Sequence, residues 1–398
     1  MKNRVIKIKL GLYAVGHFTW RWLKTPQLLP KHLSSAHDII KKEGKKGLID
    51  HVFRRYLPYK YLLKTKIHIK EPSPSIHSKL RTFSSIENSL QANKNQHQIH
   101  QKVNILMIRL GAMGDVLLTT PIIKKLYEKY DGLCSISIAT RYPDIFKNNP
   151  YIHQVLSSHD LRSLEKSYDL ILNLDGCYEK NRSLHITQAY QYYTFGKEAD
   201  HGNLQPQLFP TKQDKAVARS FIQKINSPYI VCHNRYDSSQ PYRHVPAKDW
   251  ETLVTKILEQ SHLKIVQIGS KDIDIGLADQ NARLIDARDQ FNLQQTKEII
   301  ANAKLFLGID AGPLHIAAAT QTPIVAFFTI AHHEVRKPLR ELENSFKAIT
   351  PQVKCYGCQN KFSAGVEWKC QNEDQKFSCI FSFNLNEALD DCLSLIKS

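Results

Sequence analysis

The chain lacks any uninterrupted apolar run of the length that crosses a bilayer. Its most apolar N-terminal stretch, "LGLYAVGHFTWRWL" at residues 10–23, is broken by His17 and Arg21 and falls short of the roughly 20 residues a spanning helix needs. No small-residue cleavage site follows it, so a removed signal peptide is not expected. No repeat of solenoid period is present either. Acidic residues are scarce at one end only: residues 1–100 hold 5 Asp and Glu against 20 Lys and Arg, while the other 298 hold 32 against 35. The net charge of +18 is therefore a property of an N-terminal arm. The remainder lacks the basic surplus of a nucleic-acid-binding body, and no nucleic acid is expected as a partner.

What the arm does have is basic residues interleaved with Trp and Leu over residues 1–70, a composition that suits an anionic membrane surface. A solvated extension is the plainer reading of the same charges. Residues 71–101 turn to Ser, Asn, Gln, His and Lys with few large apolar side chains, which reads as a linker.

Beyond the linker the pattern alternates. "VNILMIRL" (103–110) predicts a strand, "GAMGD" a turn and "VLLTTPIIKKLYEKY" (116–130) one helix; strands follow at 134–140, 152–156 and 168–175. A second series has strands at 228–234, 264–270, 282–287, 305–309 and 324–328, with helices after Pro246, over 293–303 and from Pro313. Such alternation predicts two doubly wound α/β domains, 102–215 and 216–398, each a parallel sheet with helices on both faces. The carboxyl ends of both sheets would face one cleft.

Two polar joins interrupt the apolar pattern at equivalent places. "RLGAMGD" follows the first strand of the first domain and "DAGPLH" follows a strand of the second, each opening a helix where backbone amides and the helix dipole gather anions such as phosphates. Neither is a dinucleotide fingerprint: the first lacks the G-x-G pair, and no acid lies at the matching distance.

Together, "ILMIRLGAMGDVLLTTPIIKKL" and "AKLFLGIDAGPLHIAAATQTPIVAFF" resemble the heptosyltransferase family, glycosyltransferase family 9, over residues 103–350. The resemblance implies the GT-B fold of two facing Rossmann-like domains. It also implies inverting transfer of heptose from ADP-heptose to a lipopolysaccharide core, an anionic glycolipid acceptor, at the cytoplasmic face of the inner membrane. The arm would then make the protein peripheral to that membrane.

On this resemblance Asp115 matches the family's proposed base, although an Asp at a helix start also serves as a cap. In the second domain Asp310 matches the sugar-contacting acid, Ala311 and Gly312 offer amides to the diphosphate, and His315 lies one turn into the helix. Such a His, read alone, is as readily a satisfied structural residue. The stretch "HNRYDSSQPYRHVPAKDW" (233–250) resembles the family's phosphate loop, with Ser238 and Ser239 as hydroxyl contacts and Arg243 as the cation that offsets charge on the leaving diphosphate. Val245 stands where the family's usual Trp precedes the Pro, and Phe291 is positioned to pack on the purine.

Four of the eight cysteines, Cys355, Cys358, Cys370 and Cys379, fall within 25 residues and contain one C-x-x-C knuckle. Thiolates in that number suit structural zinc or iron; reduced thiols are the plainer reading, and disulfides the least expected. The transfer chemistry itself asks for no cofactor. One branch of the family, which glycosylates adhesin proteins, carries a four-cysteine iron site in this region, so a protein acceptor is an alternative to the lipid core. A non-catalytic nucleotide-binding module tethered by its arm is the alternative from another class.

Overall fold

The computed structural model describes residues 103–130, 133–156, 168–180, 182–196, 202–235, 240–271, 281–340, 345–361 and 368–397. The arm and linker lie outside the described residues, as do Ser238 and Ser239. Residues Gln101–Ser398 form one compact unit.

Its first half is built on β1 (Val103–Ile108), α1 (Met113–Leu117), α2 (Thr120–Lys129), β2 (Cys134–Ala139), β3 (Gln154–Leu156), β4 (Leu170–Asn173), α3 (Cys177–Lys180) and α4 (Ile186–Phe195). The four strands form a parallel sheet in the order β3-β2-β1-β4. β1 ends in four consecutive buried residues, as expected of a central parallel strand covered on both faces.

The single helix predicted over 116–130 is in fact two, α1 and α2, parted at Leu118 and Thr119. Pro121 explains the break, since it has no N–H to donate and its ring crowds the carbonyl four residues back. The carbonyls freed there are taken by side chains: Thr119 Oγ1 donates to Val116 O at 2.7 Å and Thr120 Oγ1 to Leu117 O at 2.8 Å. The short α1 is consequently an independent platform for Asp115.

The second half comprises α5 (Lys212–Ile225), β5 (Tyr229–Cys232), α6 (Ala247–Glu259), β6 (Lys264–Gln267), β7 (Leu284–Asp286), α7 (Leu293–Ala301), β8 (Leu305–Ile309), α8 (Gly312–Ala318), β9 (Ile324–Phe327), β10 (Phe346–Ile349) and α9 (Leu385–Lys397). Its six strands are parallel in the order β10-β9-β8-β5-β6-β7. The boundary expected after residue 215 falls within α5, a helix that starts at a capping box between Thr211 and Asp214 and ends at Asn226 in the left-handed region, φ 47°.

The core of this half is the seam between the sheet and two amphipathic helices. α6 buries Trp250, Leu253, Val254, Ile257 and Leu258, and α9 buries Ala388, Leu389, Cys392 and Leu395, both at helical spacing. Trp250 packs edge-on against Phe327 with ring centroids 6.2 Å apart. This core fixes β8 and β9, and hence the turn that carries Asp310.

Candidate active site

The turn after β1 is organised by a buried arginine. The Arg109 side chain is 2% exposed and reaches Asp115 Oδ2 at 2.8 Å, Asp175 Oδ1 at 3.3 Å, Leu174 O at 3.2 Å and Glu179 Oε1 at 3.6 Å. Its guanidinium also lies over the Tyr190 ring, 5.4 Å from the centroid. A Cβ on Gly111 would sit 2.8 Å from Arg109 Nη2, so glycine lets the turn close over the guanidinium. Arg109 thus holds Asp115 in place. Asp115 is not the helix cap; Ala112 occupies that position without a side-chain bond, and Asp115 stands in the first turn with its side chain 21% exposed.

The facing turn comes from the second half. Asp310 is buried, and Arg243 Nη2 pairs with its Oδ2 at 3.2 Å while also donating to its backbone oxygen. Burial works against ionisation of Asp310, but Arg243 and Arg336 outweigh it and hold the carboxyl below its ordinary range. Arg243 is itself aimed by its loop: Asn234 bonds both backbone groups of Val245, through Nδ2 to O at 2.8 Å and from N to Oδ1 at 3.1 Å. Val245, fully buried, fills the position next to Pro246.

His315 is 3% exposed, and burial pushes its imidazole down to about 4 despite the nearby Asp310 and Asp115. It is a neutral hydrogen-bonding group at physiological pH, not a cation.

The two turns meet. A Cβ on Gly114 would run into the buried His315 ring, so the first turn admits the second because it carries glycine there, while Gly312 lies against the flexible methyl end of Met113. Asp115, Asp310, Ala311, Gly312, His315 and Arg243 are therefore drawn to one seam. Phe291 lies further along the same sheet edge, after β7, half buried against Phe221 with centroids 4.7 Å apart. β7 stands three strand positions from β8, roughly 14 Å at the usual strand spacing.

Sequence reasoning missed the segment after β9. A 3-10 turn at His333–Val335 presents Arg336, whose Nη1 lies 3.7 Å from Asp115 Oδ1 and whose guanidinium sits 5.0 Å from the Tyr178 centroid. His185 Nδ1 accepts from Thr187 N, so Nε2 carries the proton and donates to Lys337 O at 2.9 Å. Asn360 ties the same seam from the cysteine segment: Oδ1 accepts from His332 N at 2.8 Å, and Nδ2 donates to Tyr178 Oη at 3.1 Å and Arg182 O at 2.9 Å.

Cys355, Cys358, Cys370 and Cys379 line one small cavity with Trp368 and Phe377. All eight cysteines are free thiols. Trp368 Nε1 donates to Cys358 Sγ at 3.1 Å and Phe377 N to Cys370 Sγ at 3.3 Å, while burial and the neighbouring thiols push Cys379 up to about 12. The thiols share a cavity without forming a ligand set: among the described residues no group of three or more His, Cys, Asp or Glu is arranged to hold a metal. The donor set itself, four thiols with N–H groups turned toward two of them, is chemistry that a zinc or iron ion accepts.

Two Rossmann-like halves with acids and an arginine at their seam have the layout of the GT-B fold. The model of glycosyltransferase family 9 (heptosyltransferase) matches residues 165–364, and the chain belongs to that family. It is 21% identical over 285 residues to lipopolysaccharide heptosyltransferase 3 of Escherichia coli strain K12, covering 57% of this chain and 83% of the relative. Among solved structures, the ADP-heptose lipopolysaccharide heptosyltransferase II of E. coli aligns with TM-score 0.56 at 15% identity, over 74% of this chain and 99% of the other. The iron-containing dodecameric glycosyltransferase TibC of enterotoxigenic E. coli aligns with TM-score 0.55 at 14% identity, over 75% and 77%. These last two likenesses concern the fold.

Proposed function

We propose that the enzyme moves heptose from ADP-heptose, with inversion, to a hydroxyl of the lipopolysaccharide core, with Asp115 as the base. The observation that supports this reading is the close approach of the two turns at Gly114 and His315, with Asp115 on one and Asp310 on the other. Relatives that include lipopolysaccharide heptosyltransferase 3, and a fold shared with TibC in complex with ADP-D-beta-D-heptose, support the choice of donor.

In the proposed reaction Asp115 takes the acceptor hydroxyl proton as that oxygen bonds to the anomeric carbon. The bond to the diphosphate oxygen breaks on the opposite face, and ADP leaves. Arg243, Ser238, Ser239 and the amides at Ala311 and Gly312 would receive the diphosphate, Asp310 and His315 the sugar, and Phe291 the base. Arg243, whose side chain is 27% exposed, would offer its guanidinium to the incoming phosphate. Residues 1–70 would hold the enzyme on the inner membrane's cytoplasmic face near its anionic acceptor, with 71–101 as the tether; among the described residues no helix is long and apolar enough to cross a membrane. The four thiols would hold zinc or iron for structure only, and metal content that persists in the Cys358→Ser variant would remove that part of the reading.

Transfer from ADP-, UDP- and GDP-sugars to core lipid and to polypeptide acceptors tests the whole. Asp115→Asn should lower kcat by about 100-fold or more with ADP binding retained. A variant that keeps the wild-type rate disproves the base, and exclusive transfer to polypeptide replaces the lipid acceptor.

A further inference from the structure

Arg336 stands where no role has yet been given to it. It belongs to the second half of the molecule, yet it forms an ion pair with Asp115 of the first, Nη1 to Oδ1 at 3.7 Å. The two Asp115 oxygens are thereby distinguished. Oδ2 is taken by a short hydrogen bond from Arg109 at 2.8 Å, whereas Oδ1 faces a cation too far away to donate to it. Oδ1 is the oxygen left to accept a proton.

The second acid of the seam also bears on Arg336. Burial disfavours its charge, but attraction to Asp310, Tyr178 and Asp115 outweighs that and raises the guanidinium further above its ordinary range. The side chain is 12% exposed, and its Nε is buried with no hydrogen-bond partner among the described residues.

Its backbone is anchored on both sides. Arg336 N donates to His333 O at 2.9 Å, the His332 amide is held by Asn360, and Lys337 O by His185. Such preorganisation is what a group needs to hold a reacting carboxylate in one geometry.

We infer that Arg336 is a positioning residue for transfer: its guanidinium, carried by the segment after β9, holds Asp115 so that Oδ1 faces the acceptor hydroxyl. The inference rests on Asp115 being the base. The groups facing Asp115 are Arg109 at the end of β1, Tyr190 on α4, His315 on α8 and Arg336 on the segment after β9, with Glu179 on α3 reached through Arg109. Arg109 supplies one positive charge in every variant below, so the change measured belongs to Arg336.

The experiment compares wild type, Arg336→Gln, Arg336→Lys and Asp115→Asn by steady-state transfer, with ADP affinity and melting temperature measured alongside. Arg336→Gln should lower kcat about 10- to 100-fold with donor KM little changed. Arg336→Lys, which keeps the charge, should recover part of kcat. Equal losses in both variants would overturn the inference as a packing effect. A raised donor KM at unchanged kcat would overturn it by placing Arg336 in donor binding. If Arg336→Gln melts too low to assay, a folded Arg336→Lys whose kcat falls by about 100-fold or more decides against it. An active Asp115→Asn would sink the base assignment, a failure distinct from any of these.

Discussion

Gly114 offers the sharpest test of whether the two halves meet at the site described. A methyl group there would overlap the His315 ring, which is buried and carried by α8, so the ring has no solvent to swing into. Opposing this, alanine is about 1 kcal/mol better than glycine within a helix. Overpacking of a tight contact costs about 1–3 kcal/mol, so the balance is a net loss of up to about 2 kcal/mol. For a unit of this size that is a drop in Tm of up to about 8 °C. Relief must come from α1 moving off α8, and α1 carries Asp115. A shift of about 1 Å at the base lowers the rate on the order of 100-fold. The assay is thermal unfolding together with transfer rate for Gly114→Ala, His315→Ala and the double variant. Removing the ring makes room for the methyl group, so the double variant should be more stable than the sum of the singles by about 1 kcal/mol or more. Additivity within about 0.5 kcal/mol would mean that the two residues do not touch, and the facing-turn geometry would fall with it.

Two further outcomes follow from the same seam. His185 and His315 are held neutral, pushed down by burial to about 3 and about 4, so between those values and the ordinary value near 6.5 the unfolded chain binds more protons than the folded one. Stability should accordingly be full above about pH 6.5 and decline as pH falls toward 4, and His185→Gln should flatten that decline in a series of melting curves. Asn360→Ala removes three hydrogen bonds joining the cysteine segment, the His332 turn and the α3 region, so differential scanning should register a loss of about 1–3 kcal/mol. An unchanged Tm would show that the seam does not depend on that side chain.

How much of this the sequence disclosed depended on how local the determining interactions are. The strands were legible because a parallel strand covered on both faces must be apolar throughout, and β5, β8 and β9 are buried at every position. Asp115, Asp310 and His315 stood out because polar residues at a strand-to-helix join have no packing explanation. The split between α1 and α2 was missed although Pro121 was in view, because apolar spacing continues smoothly across the break. Arg336 was harder to see. In "HHEVRKPLRE" it looks like one more solvated charge, and nothing nearby in sequence distinguishes it from Lys337. What does so lies far away along the chain: Tyr178 and Asp115 beneath its guanidinium, and His185 on the carbonyl of the next residue, 152 positions removed. The phosphate-type turns are local motifs and can be read one residue at a time. The contacts that bring one turn against the other are long-range, made by single side chains whose identity has meaning only once the two halves have met.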